Sequence, residues 1–307
     1  MMDTTVRLPG LTLKNPVLTA SGTFGFGLEF EDFGDLRTLG GIVVKGMSLK
    51  PRQGNPMPRV AETACGMLNA IGIQNPGVES FIKNKLPHLP WEDTAIIANL
   101  YACTAEEFGE LADILSAEEG VAALEVNVSC PNVKEGGAAF GQDPVQIGRV
   151  TEAVKAKARN KPVMVKLSPN VADIGVCARA AEAGGADMLS LINTVTGMAV
   201  DLVTRKPLLA NVIGGLSGPA IKPVALRCVH QAVRAVKIPI IGLGGIVTAR
   251  DALEFILVGA HAIQVGTANF LRPDAAFRLV QQLPKDMEII GIGSLDELRG
   301  TLVLPGA

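Results

Sequence analysis

The sequence offers little to several kinds of chemistry. Its five cysteines, Cys65, Cys103, Cys130, Cys177 and Cys228, are scattered and form no C-x-x-C pair. That argues against a disulfide frame, a zinc site or an iron–sulfur cluster held by this chain, and suits reduced thiols in the cytoplasm. The three histidines, His88, His230 and His261, fall in linkers or helical stretches with no metal-ligand spacing. No uninterrupted apolar stretch is long enough to span a bilayer, and the opening residues Met1 to Pro9 lack the apolar run of a signal peptide. Lysine and arginine number 28 against 30 aspartates and glutamates, with no long run of either sign, so the basic stripe of a nucleic-acid binder is missing. Neither glycine-rich segment reads G-x-G-x-x-G at a strand–turn–helix opening, which leaves direct dinucleotide binding unsupported.

What is present is regular. Hydrophobic residues make up 48% of 307, enough for one large core, and a single domain over 1–307 is expected. Short β-branched runs alternate with longer helical segments, the mark of repeated βα units. Strands are expected at 16–20, 41–44, 95–98, 123–126, 162–165, 188–192, 239–243 and 262–265, each apolar along nearly its whole length as in strands buried on both faces. Thr104-Ala105-Glu106-Glu107 is a capping-box sequence, Asp143-Pro144 sets an N-cap before a first-turn proline, and Thr248 starts a helix that stops at Gly259. Eight such units favour a closed (β/α)8 TIM barrel, although strand closure is invisible in sequence and an open doubly wound sheet stays possible.

Barrel sites are built at the C-terminal ends of the strands. There the chain carries Ser21, Lys45-Gly46, Asn99, Asn127, Lys166, Asn193-Thr194, Gly244-Gly245 and Gly266-Thr267. One asparagine in such a place is an ordinary turn former; the whole set points to a polar mouth. The glycines after strands seven and eight fall where barrels commonly seat a phosphate, and Gly214-Gly215-Leu216-Ser217-Gly218 could lend a further N–H. Tight turns alone would also explain them. Lys45 and Lys166 suit an anion or the edge of a flavin, since an unpaired buried ammonium is costly, although either alone reads as readily as an ordinary lysine reaching solvent at a strand end. Cys130 follows strand four on a loop with Gly136-Gly137, as a base or as a small buried hydrophobe. The other four cysteines are read as buried hydrophobes. Carboxylates are missing from nearly all strand ends, which leaves a paired-acid mechanism little to work with. A phosphate-dependent aldolase or isomerase barrel without flavin, or a non-catalytic barrel, remains open on the residues alone.

Five segments then narrow the choice. They are Ala20-Ser21-Gly22-Thr23-Phe24-Gly25-Phe26-Gly27, Asn69-Ala70-Ile71-Gly72-Ile73-Gln74-Asn75-Pro76-Gly77, Asn127-Val128-Ser129-Cys130-Pro131-Asn132, Val165-Lys166-Leu167-Ser168-Pro169-Asn170 and Gly244-Gly245-Ile246. Together they resemble the dihydroorotate dehydrogenases, class 1B branch, over about Leu8 to Pro273. The resemblance implies oxidation of (S)-dihydroorotate to orotate in pyrimidine biosynthesis, with one FMN per chain. It assigns Cys130 as the base and Lys45 to contact both flavin and substrate. Asn69, Ala70, Ile71, Gly72, Ile73, Asn127, Asn193 and Thr194 would hold the substrate. Ser21, Lys45, Gly46, Asn99, Asn127, Lys166, Ile192, Gly218, Gly244, Gly245, Gly266 and Thr267 would hold FMN. It further implies electron transfer to NAD through a partner subunit carrying FAD and a [2Fe–2S] cluster, in a heterotetramer of two chains of each kind. The N-terminal helical extension of the quinone-using relatives is not expected here, because Val6-Arg7-Leu8 leads almost at once into the first strand. A class 1A-like homodimer reducing fumarate is the alternative within the family.

Overall fold

The computed structural model describes residues 2–128 and 140–306. Eight parallel strands close into a barrel: Val17–Thr19, Gly41–Val43, Ala95–Leu100, Ala123–Asn127, Val163–Leu167, Met188–Leu191, Ile240–Leu243 and Ala262–Val265. Each pairs with the next in sequence, and the last closes on the first through Ile263 opposite Val17 and Val265 opposite Thr19. Closure rules out the open doubly wound sheet. Strands three, four and five run further than their apolar stretches suggest, so Asn99, Asn127 and Lys166 lie within strands and not just after them. Their side chains find polar neighbours across the ladder, with Asn99 opposite Glu125 and Asn127 opposite Lys166, so polarity does not end the pairing there.

The helices start where side chains can satisfy open backbone donors. Thr104 accepts from the Glu107 N–H at 3.1 Å to cap Ala105–Ser116, and the Glu107 carboxylate accepts from the Cys103 N–H at 2.9 Å. Phe108, Leu111, Ala112 and Leu115 then bury one helical face against the barrel, at the three-and-four spacing that an amphipathic helix requires. Asp143 caps Pro144–Lys155, and Thr248 with Asp251 forms a full capping box on Ala249–Leu257. Gly259, at φ +114°, ends that segment in a conformation that suits glycine.

Two additions to the barrel carry no strong sequence signal. A hairpin of Val6–Leu8 and Leu11–Leu13 buries Val6, Leu8 and Leu13 and turns at Gly10 beside Pro162, the residue that leads into strand five. It therefore covers the foot of the barrel. At the opposite face, segments from the loops after strands two and six form an antiparallel sheet in the order Val195–Met198, Ile213–Ser217, Gly66–Asn69, Val60–Thr63. The glycine-rich stretch 214–218 is thus mostly a strand. Its glycines permit close packing, because a Cβ on Gly215 would fall 2.1 Å from Thr194 Oγ1 and one on Gly214 would fall 2.7 Å from the Asn69 carbonyl.

The accessory sheet also corrects one sequence expectation. Cys65 is not a buried hydrophobe but exposed at the hairpin turn between Val60–Thr63 and Gly66–Asn69, at φ +59°. Cys103 is half-buried, whereas Cys177 and Cys228 are buried as expected, and burial raises both of their thiol pKa values.

Candidate active site

The accessory sheet and the C-terminal strand ends enclose a cavity of about 630 Å³. That volume suits a cofactor together with a small substrate. At one end Gly244, Gly245, Gly266, Thr267 and Gly218 bring backbone to the wall. Gly244 has φ +124°, Gly245 φ +77° and Gly218 φ +97°, all conformations that favour glycine. Thr267 donates its hydroxyl to Ser217 Oγ at 2.8 Å, tying the loop after strand eight to the accessory sheet.

Ser21, Lys45, Gly46, Asn99, Lys166 and Ile192 also line the cavity. Burial pushes the Lys45 ammonium below its ordinary pKa, and the nearby Arg59 charge pushes the same way. Among the described residues no carboxylate lies within ion-pairing distance of Lys45, so an anion or an electron-rich ring in the cavity would relieve it. Lys166, by contrast, has a carboxylate nearby, with Nζ 3.7 Å from Glu125 Oε1.

The lining is also rich in amides. Asn193 donates to Asn127 Oδ1 at 3.3 Å and accepts from the Thr194 N–H at 2.8 Å. Asn69 lies at the end of its accessory strand and points an amide toward the Gly215 carbonyl, 3.4 Å away. Residues 70–73 continue the wall, with Gly72 at φ +73° and Ile73 at φ +54°. Asn55 fixes this segment through Asn55 N–H to the Ile71 carbonyl at 3.0 Å and Asn55 Nδ2 to the Ala70 carbonyl at 2.9 Å. Asparagines suit a ligand bearing both ring amides and carboxylate, since each amide can donate and accept.

Every candidate binding residue from the sequence therefore lines this one cavity, while Cys130 lies outside the described residues. Sequence reasoning missed three of the neighbours. Arg59 reaches the wall and donates to Gln74, but it sits in a loop with no pattern to single it out. Asn170 donates to the Thr194 carbonyl at 3.0 Å and accepts from the Thr196 N–H at 2.9 Å, which bridges the loops after strands five and six. Its only signal was its inclusion in the Lys166 motif. Gln264 lines the cavity floor and is hidden in an apolar strand.

A closed parallel barrel with a polar ligand cavity at its C-terminal mouth defines the class as a barrel enzyme scaffold with one concentrated site. The sequence model of the family described as dihydroorotate dehydrogenase matches residues 3–287. A protein of Maridesulfovibrio salexigens, named dihydroorotate dehydrogenase B (NAD(+)), catalytic subunit, is 71% identical over 304 residues, covering 99% of this chain and 100% of the relative. Proteins with the same name from Solidesulfovibrio magneticus and Pelobacter propionicus are 69% and 57% identical, each over 98% of both chains. The chain belongs to the dihydroorotate dehydrogenase family.

Proposed function

We propose that this chain is the catalytic subunit of an NAD-linked dihydroorotate dehydrogenase, oxidising (S)-dihydroorotate to orotate in pyrimidine biosynthesis. The observation that carries the reading is the convergence of the candidate binding residues on one cavity, in a chain whose relatives bear that name over their whole length.

The cavity fits FMN on its own chemistry. Gly218, Gly244, Gly245 and Gly266 bring bare backbone to the cavity wall, where a phosphate could take N–H donors. Asn99 Oδ1 and Gln264 Oε1 are buried acceptors without a partner among the described residues, which suits a ligand with donors to give. Ser21, Lys45, Gly46, Asn99, Asn127, Lys166, Ile192, Gly218, Gly244, Gly245, Gly266 and Thr267 would hold it. When bound, FMN supplies the acceptor for the hydride that leaves C6 of the substrate.

The chain's own residues do the rest. Asn69, Asn127, Asn193 and Thr194, with residues 70–73, hold the substrate ring and carboxylate, and Lys45 adds a positive charge that burial has left poorly solvated. Cys130 takes the C5 proton as its thiolate, so turnover rises with pH until the thiol is ionised. The accessory sheet narrows the mouth and limits water around the reacting atoms.

Electrons leave through a second subunit carrying FAD and a [2Fe–2S] cluster, in a heterotetramer of two chains of each kind. Among the described residues no group of three or more His, Cys, Asp or Glu could hold a metal ion, and no helix is long and apolar enough to cross a membrane. The reading is of one FMN-binding barrel domain over 1–307, at work in the cytoplasm. Steady-state assays separate the acceptors. NAD reduction that requires the partner subunit supports the proposal, and efficient fumarate reduction by the chain alone contradicts it.

A further inference from the structure

Glu125, in the strand Ala123–Asn127, is fully buried inside the barrel and does not line the cavity. Donors from four other strands converge on its carboxylate. Asn99 Nδ2 donates to Oε1 at 2.6 Å, and Lys166 Nζ lies 3.7 Å from the same oxygen. Ser190 Oγ donates to Oε2 at 2.8 Å and Gln264 Nε2 at 2.7 Å. Three hydrogen bonds and the Lys166 ion pair thus engage both carboxylate oxygens.

The carboxylate fixes the direction of two amides. A carboxylate only accepts, so Asn99 and Gln264 must each turn NH2 toward Glu125 and the carbonyl oxygen away. Both residues line the cavity, and both oxygens are buried without a hydrogen-bond partner among the described residues. Unsatisfied buried acceptors are rare in folded proteins because they forgo the hydrogen bond that water would give them.

We propose that Glu125 is a positioning residue that holds the Asn99 and Gln264 amides with their oxygens toward the cavity. The two oxygens are thereby acceptors held ready for hydroxyl or N–H groups of the bound flavin nucleotide, an assignment that rests on the flavin reading above. Glu125 acts only through its neighbours.

Glu125→Gln keeps the shape but turns one acceptor oxygen into a donor. If the new NH2 stands at the Oε1 position it faces Asn99 Nδ2; at the Oε2 position it faces Gln264 Nε2. Ser190 can answer by rotating its hydroxyl, but one of the two amides must reverse and aim NH2 at the cavity. Titrating the full-length apoprotein with FMN, followed by flavin fluorescence and the visible absorption envelope, reads the result. The expected Kd for Glu125→Gln is about 10-fold or more above wild type, the scale of one mismatched hydrogen bond. The exchange Glu125→Gln/Gln264→Glu keeps the charge in the cluster and returns an acceptor to the cavity, so it should recover most of the lost affinity.

Gln264→Met leaves the Glu125–Lys166 pair in place and removes only the amide, so it decides the matter even if Glu125→Gln does not fold. It should also weaken FMN by about 10-fold. Wild-type affinity in Glu125→Gln or Gln264→Met overturns the proposal, as does an exchange no better than the single variant. Failure of the wild-type apoprotein to bind FMN at all overturns the flavin reading, and this proposal with it.

Discussion

Alanine at Gly245 should damage fold and ligand seat together, whereas alanine at Gly266 should damage only the seat. Gly245 holds φ +77°, and an added Cβ would lie 2.7 Å from Lys222 Cβ, 2.8 Å from its backbone N and 2.9 Å from its Cα. Left-handed backbone costs an alanine about 1–2 kcal/mol. The overlap adds about 1–3 kcal/mol, because two of the three atoms struck are backbone at the opening of the helix Lys222–Ala235 and cannot rotate away. Together that is about 2–5 kcal/mol, or a fall in Tm of roughly 5–15 °C. At Gly266 no positive φ is imposed, and the nearest atom to an added Cβ is Ala20 Cβ at 3.6 Å, an ordinary contact. Its stability change should stay within about 0.5 kcal/mol. Gly266→Ala adds a methyl beside Ala20 and Thr23 in the cavity wall, and Gly245→Ala must displace its backbone away from Lys222, so both should weaken FMN binding to the apoprotein, by about 10-fold or more if a phosphate rests on that backbone. Calorimetry of the apoproteins and flavin-fluorescence titration measure the two effects separately. The reasoning is refuted if Gly245→Ala melts with wild type, or if Gly266→Ala binds FMN unchanged.

Three other outcomes follow from the same geometry. Lys45→Met should raise the apoprotein Tm at neutral pH while abolishing orotate binding, because it removes a poorly solvated charge that no carboxylate among the described residues pairs. The wild-type deficit should shrink in alkali, where the folded chain gives up this proton before the unfolded chain does; an unchanged or lower Tm in the variant would count against this. Cys130→Ala should leave FMN bound yet slow flavin reduction by dihydroorotate by at least about 100-fold, read by anaerobic stopped flow, and near-normal reduction would remove Cys130 from the role of base. His261 at the foot of strand eight has its pKa pushed down to about 4, by burial first and by Arg299 next, against a smaller opposing pull from Asp296. The unfolded chain binds this proton below about pH 6.5 and the folded chain does not, so stability is lost as pH falls from there toward 4. The full shift is worth at most about 3 kcal/mol, and partial exposure reduces it to roughly 1–2. Urea midpoints for wild type and His261→Asn at pH about 7 and about 4.5 should differ by that slope, and parallel curves would contradict it.

The barrel was legible because its strands are buried on both faces and so read as unbroken apolar runs, separated by helices with capping residues at their starts. Where the ladder continues through Asn99, Asn127 and Lys166, that signal stops early, since polar partners inside the barrel replace apolar packing. The accessory sheet was not legible. Its strands Val60–Thr63 and Gly66–Asn69 are short, only partly buried and drawn together from distant loops, which is why exposed Cys65 was misread. Most cavity residues could be named from family motifs combined with strand-end position. Glu125, Gln264 and Ser190 could not, because a polar residue inside an apolar strand gives no hint of the partners it meets across the barrel. Arg59 and Asn170 enter the wall through loops whose path only the folded chain defines.

Anaerobic mixing of the purified FMN-loaded chain with (S)-dihydroorotate tests the central claim most directly. The account predicts that the oxidised flavin bands bleach and orotate appears in step, without the partner subunit. Persistent flavin colour under excess dihydroorotate, or a chain that binds no flavin, would contradict it.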